Sequence, residues 1–351
     1  MIERLIRDNI RKLEAYASAR SEFKGKASVF LDANENAMGS PAGDNLNRYP
    51  DPLQTSLKQI VSDLKRVPEA CIFLGNGSDE PIDLLFRMFC KPGQDNVIQL
   101  TPTYGMYQVA AGINDVAIRN VPLQDDFSMD ALKVLTAADA DTKLIFICSP
   151  NNPTGNLMDR KQVELLLKRF KGLVVVDEAY IDFAAPGASV ADLLHKYERL
   201  VVLQTFSKAW GMAGLRIGMA LASPVLVAIM NKVKAPYNIG TLAQEYAIRA
   251  LRNQKWIHSW TRETIAQRQM LYLALGRLPF VIKVFPSEAN FLLVKVVDAQ
   301  QLYDYLLARG IVVRNRATVK GCEGCLRITV GSLEENEQLL LALESYSKQS
   351  L

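Results

Sequence analysis

The sequence predicts an α/β fold: a large domain with a mostly parallel central sheet flanked by helices, followed by a smaller α+β domain. Three observations carry this. Short continuous apolar runs, such as Leu144-Ile145-Phe146-Ile147, Leu173-Val174-Val175-Val176 and Leu200-Val201-Val202-Leu203, alternate with helical segments. Such runs are strands buried on both faces, which is how parallel sheets covered by helices read. Polar residues gather just past the ends of these runs, from Ser78 through Tyr104, Asn152 and Asp177 to Lys208. Ligands of open α/β sheets bind there, outside the carboxyl ends of the strands. From about Tyr237 the pattern shifts to long helices and separated strands. The expected division is an N-terminal arm over residues 1–26, packing near the small domain, a large domain over 27–240 and a small domain over 241–351.

The arm is charged and amphipathic, hence helical, and carries Tyr16. Residues 29–36 read as a short strand running into a turn. Asn47-Arg48-Tyr49-Pro50-Asp51-Pro52 is a loop that its prolines keep from being helical. Residues 53–64 have helical periodicity. Residues 71–74 form a strand, 75–81 a turn and 82–89 a helix. A glycine turn opening a helix offers free N–H groups to a phosphate. Pro81 suits the first turn of that helix; an ordinary cap by Ser78 or Asp79 is the plain alternative.

The next strand, 96–100, ends in Thr101-Pro102-Thr103-Tyr104, where an aromatic side chain can cover a flat ring. Residues 116–121, 143–148 and 218–222 are further strands, and 129–137 and 160–170 are helices. Ser149-Pro150-Asn151-Asn152-Pro153-Thr154-Gly155 is a tightly fixed loop, and the run ending at Val176 closes on Asp177. In the small domain, 241–251, 256–278, 299–309 and 332–346 read as helices, with Gly310 suiting a helix end. Residues 291–296, 311–313 and 326–330 read as strands.

The bulk numbers exclude several classes. A chain of 351 residues with 49% hydrophobic and 22% charged residues is an ordinary globular composition. The net charge of +4 comes without a Lys/Arg block, so nucleic acid is not an expected partner; a basic pocket for a small anion is. The five cysteines are odd in number and lack framework spacing, so no disulfide scaffold is expected. Cys322-Glu323-Gly324-Cys325 has the C-x-x-C form, but no second pair or nearby His accompanies it, and no metal site is expected. No run reaches the roughly 18 apolar residues of a membrane span, and the first residues lack an apolar signal core. A cytoplasmic location without membrane contact is the expectation.

Lys208 is the centre of the chemistry. It follows a buried strand and is flanked by Thr205, Ser207 and a run of small residues up to Gly218. A desolvated lysine loses its proton and attacks carbonyls, as Schiff-base lysines do. A cofactor with an aldehyde, a protonatable pyridine, a phenolic oxygen and a phosphate would use the other residues too. Asp177 would pair with the pyridine nitrogen, Asn152 and Tyr180 would bond the phenolic oxygen, and Tyr104 would stack on the ring. Ser78, Asp79, Thr205, Ser207 and Arg216 would surround the phosphate.

With these motifs in this order, the chain resembles the fold-type I aminotransferases dependent on pyridoxal 5'-phosphate, and within them the histidinol-phosphate aminotransferases. The matching motifs also include Asn76-Gly77-Ser78-Asp79-Glu80 and Gly324-Cys325-Leu326-Arg327-Ile328-Thr329. The resemblance implies a homodimer in which Tyr49 reaches the cofactor phosphate of the neighbouring subunit. It implies transfer of an amino group between glutamate and imidazole-acetol phosphate, giving histidinol phosphate and 2-oxoglutarate, in histidine biosynthesis. It also makes Arg314, Arg327 and Tyr16 the substrate-side residues; guanidinium groups bind carboxylate and phosphate alike. Arg316 matches no role and is expected in solvent. Related aromatic aminotransferases and phospho-amino-acid decarboxylases share the cofactor site. An aminotransferase-like regulator would need an upstream DNA-binding segment, for which 26 residues are too few.

Overall fold

A computed structural model of the protein describes residues 2–16, 28–43 and 46–349. The large domain holds β1 (Ile72–Asn76), β2 (Asn96–Thr101), β3 (Ala117–Pro122), β4 (Thr142–Cys148), β5 (Leu173–Asp177), β6 (Leu200–Thr205) and β7 (Ile217–Ala222). They form one seven-stranded sheet in the order β1-β7-β6-β5-β4-β2-β3. The neighbours from β6 to β3 pair in parallel. β7 alone is reversed, antiparallel to both β6 and β1. β5 is therefore the middle strand, and it is buried along its whole length.

The period of two along each strand divides the core. Ile145, Ile147, Val174, Val176 and Val202 face one layer, with Leu57 and Val61 of α2 (Thr55–Lys65) and Val163 and Leu166 of α6 (Arg160–Arg169). Phe146, Val175, Val201 and Leu203 face the other. There they meet α3 (Asp79–Phe89), α4 (Met106–Ile113) and α7 (Pro224–Val233). The remaining large-domain helix, α5 (Ala131–Ala137), is capped by Asp130, whose carboxylate accepts from the Leu132 and Lys133 N–H groups. The sheet's continuous apolar runs are thus the signature of helices on both sides.

The small domain is a four-stranded antiparallel sheet, ordered β10-β11-β9-β8. Its strands are β8 (Val281–Val284), β9 (Phe291–Val296), β10 (Arg314–Asn315) and β11 (Cys325–Thr329). One face packs on α9 (Gln254–Leu275), α10 (Ala299–Leu307) and α11 (Leu333–Gln349) through Leu292, Val294, Leu326 and Ile328. No described helix is long and apolar enough to cross a membrane.

Four expectations are corrected. The described part of the arm, with α1 (Asp8–Lys12), packs on the large domain. Ile2, Ile6 and Ile10 join the α3–α7 layer, and the Arg7 N–H donates to Met88 O at 3.0 Å. Residue 241 does not begin a separate core, because α8 (Thr241–Leu251) buries Ala247 and Leu251 in the large domain. α9 runs from that core, at Ile257, to the small one, at Leu271. Residues 29–36 contain no strand, and Leu31 is 87% exposed. Residues 311–313 contain none either, the ladder starting at Arg314. The remainder of the arm, through Lys24-Gly25-Lys26, lies outside the described residues.

One close approach fixes the turn after β1. A Cβ added to Gly218 in β7 would lie 2.3 Å from Ser78 N and 2.4 Å from Gly77 C, both backbone atoms. Gly218→Ala should therefore push β7 from the β1–α3 turn, at a cost of about 1–3 kcal/mol. A lowered thermal unfolding midpoint checks this; an unchanged midpoint would mean the turn yields freely.

Candidate active site

A cavity opens at the carboxyl ends of the parallel strands, with about 480 Å³ of empty space counting its open mouth. Its lining contains ten of the residues singled out above: Ser78, Asp79, Tyr104, Asn152, Asp177, Tyr180, Thr205, Ser207, Lys208 and Arg216. They come from the ends of β1, β2, β4, β5, β6 and β7, so the sheet brings together side chains up to 138 positions apart, from residue 78 to residue 216.

Asp177 ends the middle strand and is 2% exposed. One carboxylate oxygen accepts the Tyr107 hydroxyl at 2.7 Å and the other the Ala179 N–H at 3.1 Å. Burial pushes its pKa up to about 6, against those two bonds. A buried carboxylate in this state calls for a cationic or proton-donating partner. Its neighbour Glu178 points the other way, into bonds from Ser189, the Val190 N–H and Gln204.

The Lys208 amine lies 5.5 Å from the centroid of the Tyr180 ring. It reaches solvent through the cavity mouth, yet the cavity walls desolvate it, and Arg327 and Arg216 repel it. Its pKa is lowered accordingly. At the deep end, the Asn152 amide lies 3.5 Å from the Tyr180 hydroxyl.

The opposite end is an anion cradle. Ser78 occupies the N-cap of α3 but makes no capping bond through its side chain, so its hydroxyl is left to the cavity. Gly77 has φ +72°, and a Cβ there would meet the Arg216 guanidinium at 2.6 Å. Arg216, itself left-handed at φ 53°, lies 3.5 Å from both Asp79 Oδ2 and Ser207 Oγ. Thr205 Oγ1 donates to Ser207 Oγ at 3.0 Å, and Tyr104 donates to Asp79 Oδ1 at 3.0 Å.

On the small-domain side, Arg327 donates to Asn152 Oδ1 at 2.6 Å, while its Nε is buried without a partner. Arg314 pairs with it across the β10–β11 ladder and is exposed. Arg316, expected in solvent, is instead half-buried, and its Nε too is buried without a partner. Two of the chosen tyrosines do not line this chain's cavity. Tyr16 is 75% exposed, and Tyr49 is half-exposed, stacked on Tyr237 at 4.5 Å.

Two features escape the sequence. Tyr107 is a core aromatic whose hydroxyl alone betrays a role, and its partner is 70 positions away. Lys234 is buried and donates to Pro52 O at 2.8 Å and to Asn238 Oδ1 at 2.9 Å. Asn238 in turn donates to Glu80 Oε2 at 2.9 Å, tying the Tyr49 loop to α3.

The general model of aminotransferase class I and II matches residues 21–343. The chain belongs to that family. A histidinol-phosphate aminotransferase of Cytophaga hutchinsonii is 51% identical over 98% of this chain and 99% of its own. The solved histidinol-phosphate aminotransferase of Clostridium acetobutylicum superposes with a TM-score of 0.80 at 25% identity, over 87% of this chain and 92% of that one. The Sinorhizobium meliloti histidinol-phosphate aminotransferase, solved with pyridoxal-5'-phosphate, shares the fold at TM-score 0.80 and 24% identity, over 91% and 90% of the two chains.

Aminotransferases of this family use pyridoxal phosphate, and the cavity fits that group. It combines a desolvated amine, a buried carboxylate lacking an ion-pair partner among the described residues, and a glycine cradle beside a guanidinium. The carboxylate yields a signed prediction. Asp177 in the cofactor-free protein has its pKa raised to about 6. Its ionisation therefore weakens the fold progressively as pH rises from about 4 to about 6, by on the order of 3 kcal/mol in total. Asp177→Asn removes that cost. At pH 8 the cofactor-free variant should melt no lower than wild type, with the advantage gone by about pH 4, while its cofactor affinity falls. A variant less stable by the same margin at both pH values would contradict this.

Proposed function

We propose that the chain catalyses the reversible transfer of an amino group between glutamate and imidazole-acetol phosphate, giving histidinol phosphate and 2-oxoglutarate, as a cytoplasmic homodimer in histidine biosynthesis. The observation that carries this reading is the meeting of Lys208, Asp177 and the Arg327–Asn152 pair at one cavity. The name and near-complete overlap of the Cytophaga relative support the substrate.

In this reading Lys208 would hold the cofactor covalently and would take up the proton that leaves the substrate's α-carbon. Burial and the neighbouring Arg327 and Arg216 lower its pKa, which favours that role. Asp177 pairs with the ring nitrogen, and the Tyr107 hydroxyl and Ala179 N–H hold the carboxylate in place. Once bound, the cofactor supplies an electron sink for the substrate's α-carbon. Asn152 and Tyr180 bond the phenolic oxygen, and Tyr104, braced by Asp79, covers the ring. The hydroxyls of Ser78, Thr205 and Ser207, the Asp79 N–H and the Arg216 guanidinium would take the cofactor phosphate, joined by Tyr49 of the neighbouring subunit.

Exposed apolar side chains support the dimer. Leu31 is 87% and Met38 93% exposed, and Tyr49 and Leu242 about half; such surface is the kind that a partner covers. Arg327, Arg314 and Tyr16 receive the substrate's anion, a phosphate or a carboxylate.

The test is a single assay with pyridoxal phosphate, 2-oxoglutarate and either histidinol phosphate, phenylalanine or threonine phosphate, reading glutamate and carbon dioxide. Glutamate should form with histidinol phosphate and without carbon dioxide. Carbon dioxide from threonine phosphate alone would replace this reading with a decarboxylase. Lys208→Ala should lose both the visible absorbance of the loaded protein and turnover. Arg327→Ala should raise KM for glutamate and histidinol phosphate by about 10- to 100-fold, the range for a lost charged hydrogen bond. An effect on neither would remove Arg327 from the substrate side.

A further inference from the structure

β10 and β11 form an edge ribbon of the small-domain sheet. Arg314 pairs with Arg327, and the Arg316 N–H donates to Cys325 O at 2.9 Å, so pairing continues just past β10. Paired residues share a face, and so do residues two apart in an extended chain. Arg314, Arg316 and Arg327 therefore stand on one face. It is the face turned away from the small-domain core, into which Leu326 and Ile328 point. Arg327 bonds Asn152 in the cavity wall, and the Arg316 charge partly offsets the upward push of burial on the Tyr180 pKa.

This cluster has no counter-charge among the described residues. Among the described residues none of the three guanidiniums has an ion-pair partner. The largest charges acting on Arg316 are those of Arg327 and Arg314, both repulsive. Two arginines with buried, unpartnered Nε atoms beside a third form an unfavourable arrangement unless an anion of more than one charge enters. A carboxylate is a flat monoanion that one guanidinium fork satisfies. A phosphate monoester carries about −1.5 to −2 at pH 7 and presents three strong acceptor oxygens.

We propose that Arg316 is a specificity-determining residue, a third guanidinium that engages the dianion of a phosphate-ester substrate and adds little to the binding of glutamate. This rests on the transaminase reading above and adds to it the basis of discrimination between its two substrates.

The experiment uses the full chain loaded with pyridoxal phosphate and follows each half-reaction separately by the cofactor's absorbance. Arg316→Gln should lower kcat/KM for histidinol phosphate about 10- to 100-fold and change that for glutamate less than about 3-fold. The unimpaired glutamate half-reaction also shows that the variant is folded. Below about pH 6, where the ester loses its second charge, the loss should shrink, and Arg316→Lys should recover part of it. Equal losses for both substrates, or none for the ester, would overturn the proposal. Should wild type turn over neither substrate, the transaminase reading fails by itself. Calorimetric titration of inorganic phosphate into the loaded protein then decides Arg316, with unchanged affinity in Arg316→Gln counting against it.

Discussion

A single carboxylate sets the terms for this molecule. Asp177 terminates the middle strand of a sheet whose two faces are both covered, and it is 2% exposed. A charge in that position is tolerable only at the strand's carboxyl end, where the helices stop and a cavity begins. The Tyr107 hydroxyl and one backbone N–H compensate for part of the lost hydration. The rest is left for a ligand. The same burial that makes Asp177 unfavourable in an empty site makes it a strong partner for a cationic ring.

The remaining parts of the site follow from that placement. Parallel pairing from β6 to β3 delivers strand ends to one edge, and the reversed β7 returns Gly218 beneath the Ser78 turn and brings Arg216 to Asp79. The small domain completes the enclosure from the opposite side. The Arg327–Asn152 bond is a direct polar tie between the two domains at the cavity. α9 belongs to both cores, so the arginine ribbon is carried on a body connected to the large domain by a continuous helix.

The large sheet was legible because its strands are buried on both faces, leaving unbroken apolar runs with polar residues just beyond them. The ten cavity residues were legible for the same reason. Misreadings arose where a signal had a second cause. Val29 and Leu31 resemble a strand by composition but are exposed. The apolar residues of the arm say that it packs, not on what. A change in helix length near residue 240 marked a new region, but which core Ala247 and Leu251 enter depends on α2, far away in the chain. Arg316 resembled a solvated loop arginine because its environment is created by a ladder bond to Cys325 and by Tyr180, neither near in sequence. Lys234 is hidden similarly, since nothing local shows that a lysine will be enclosed by backbone carbonyls.

The most direct measurement is the nitrogen-15 NMR shift of pyridoxal phosphate labelled at its ring nitrogen and bound to the wild-type protein. At pH 8 the shift should be that of a protonated, cationic ring, held so by Asp177. A neutral ring nitrogen at that pH would contradict the role given to the buried carboxylate and, with it, the chemistry assigned to the cavity.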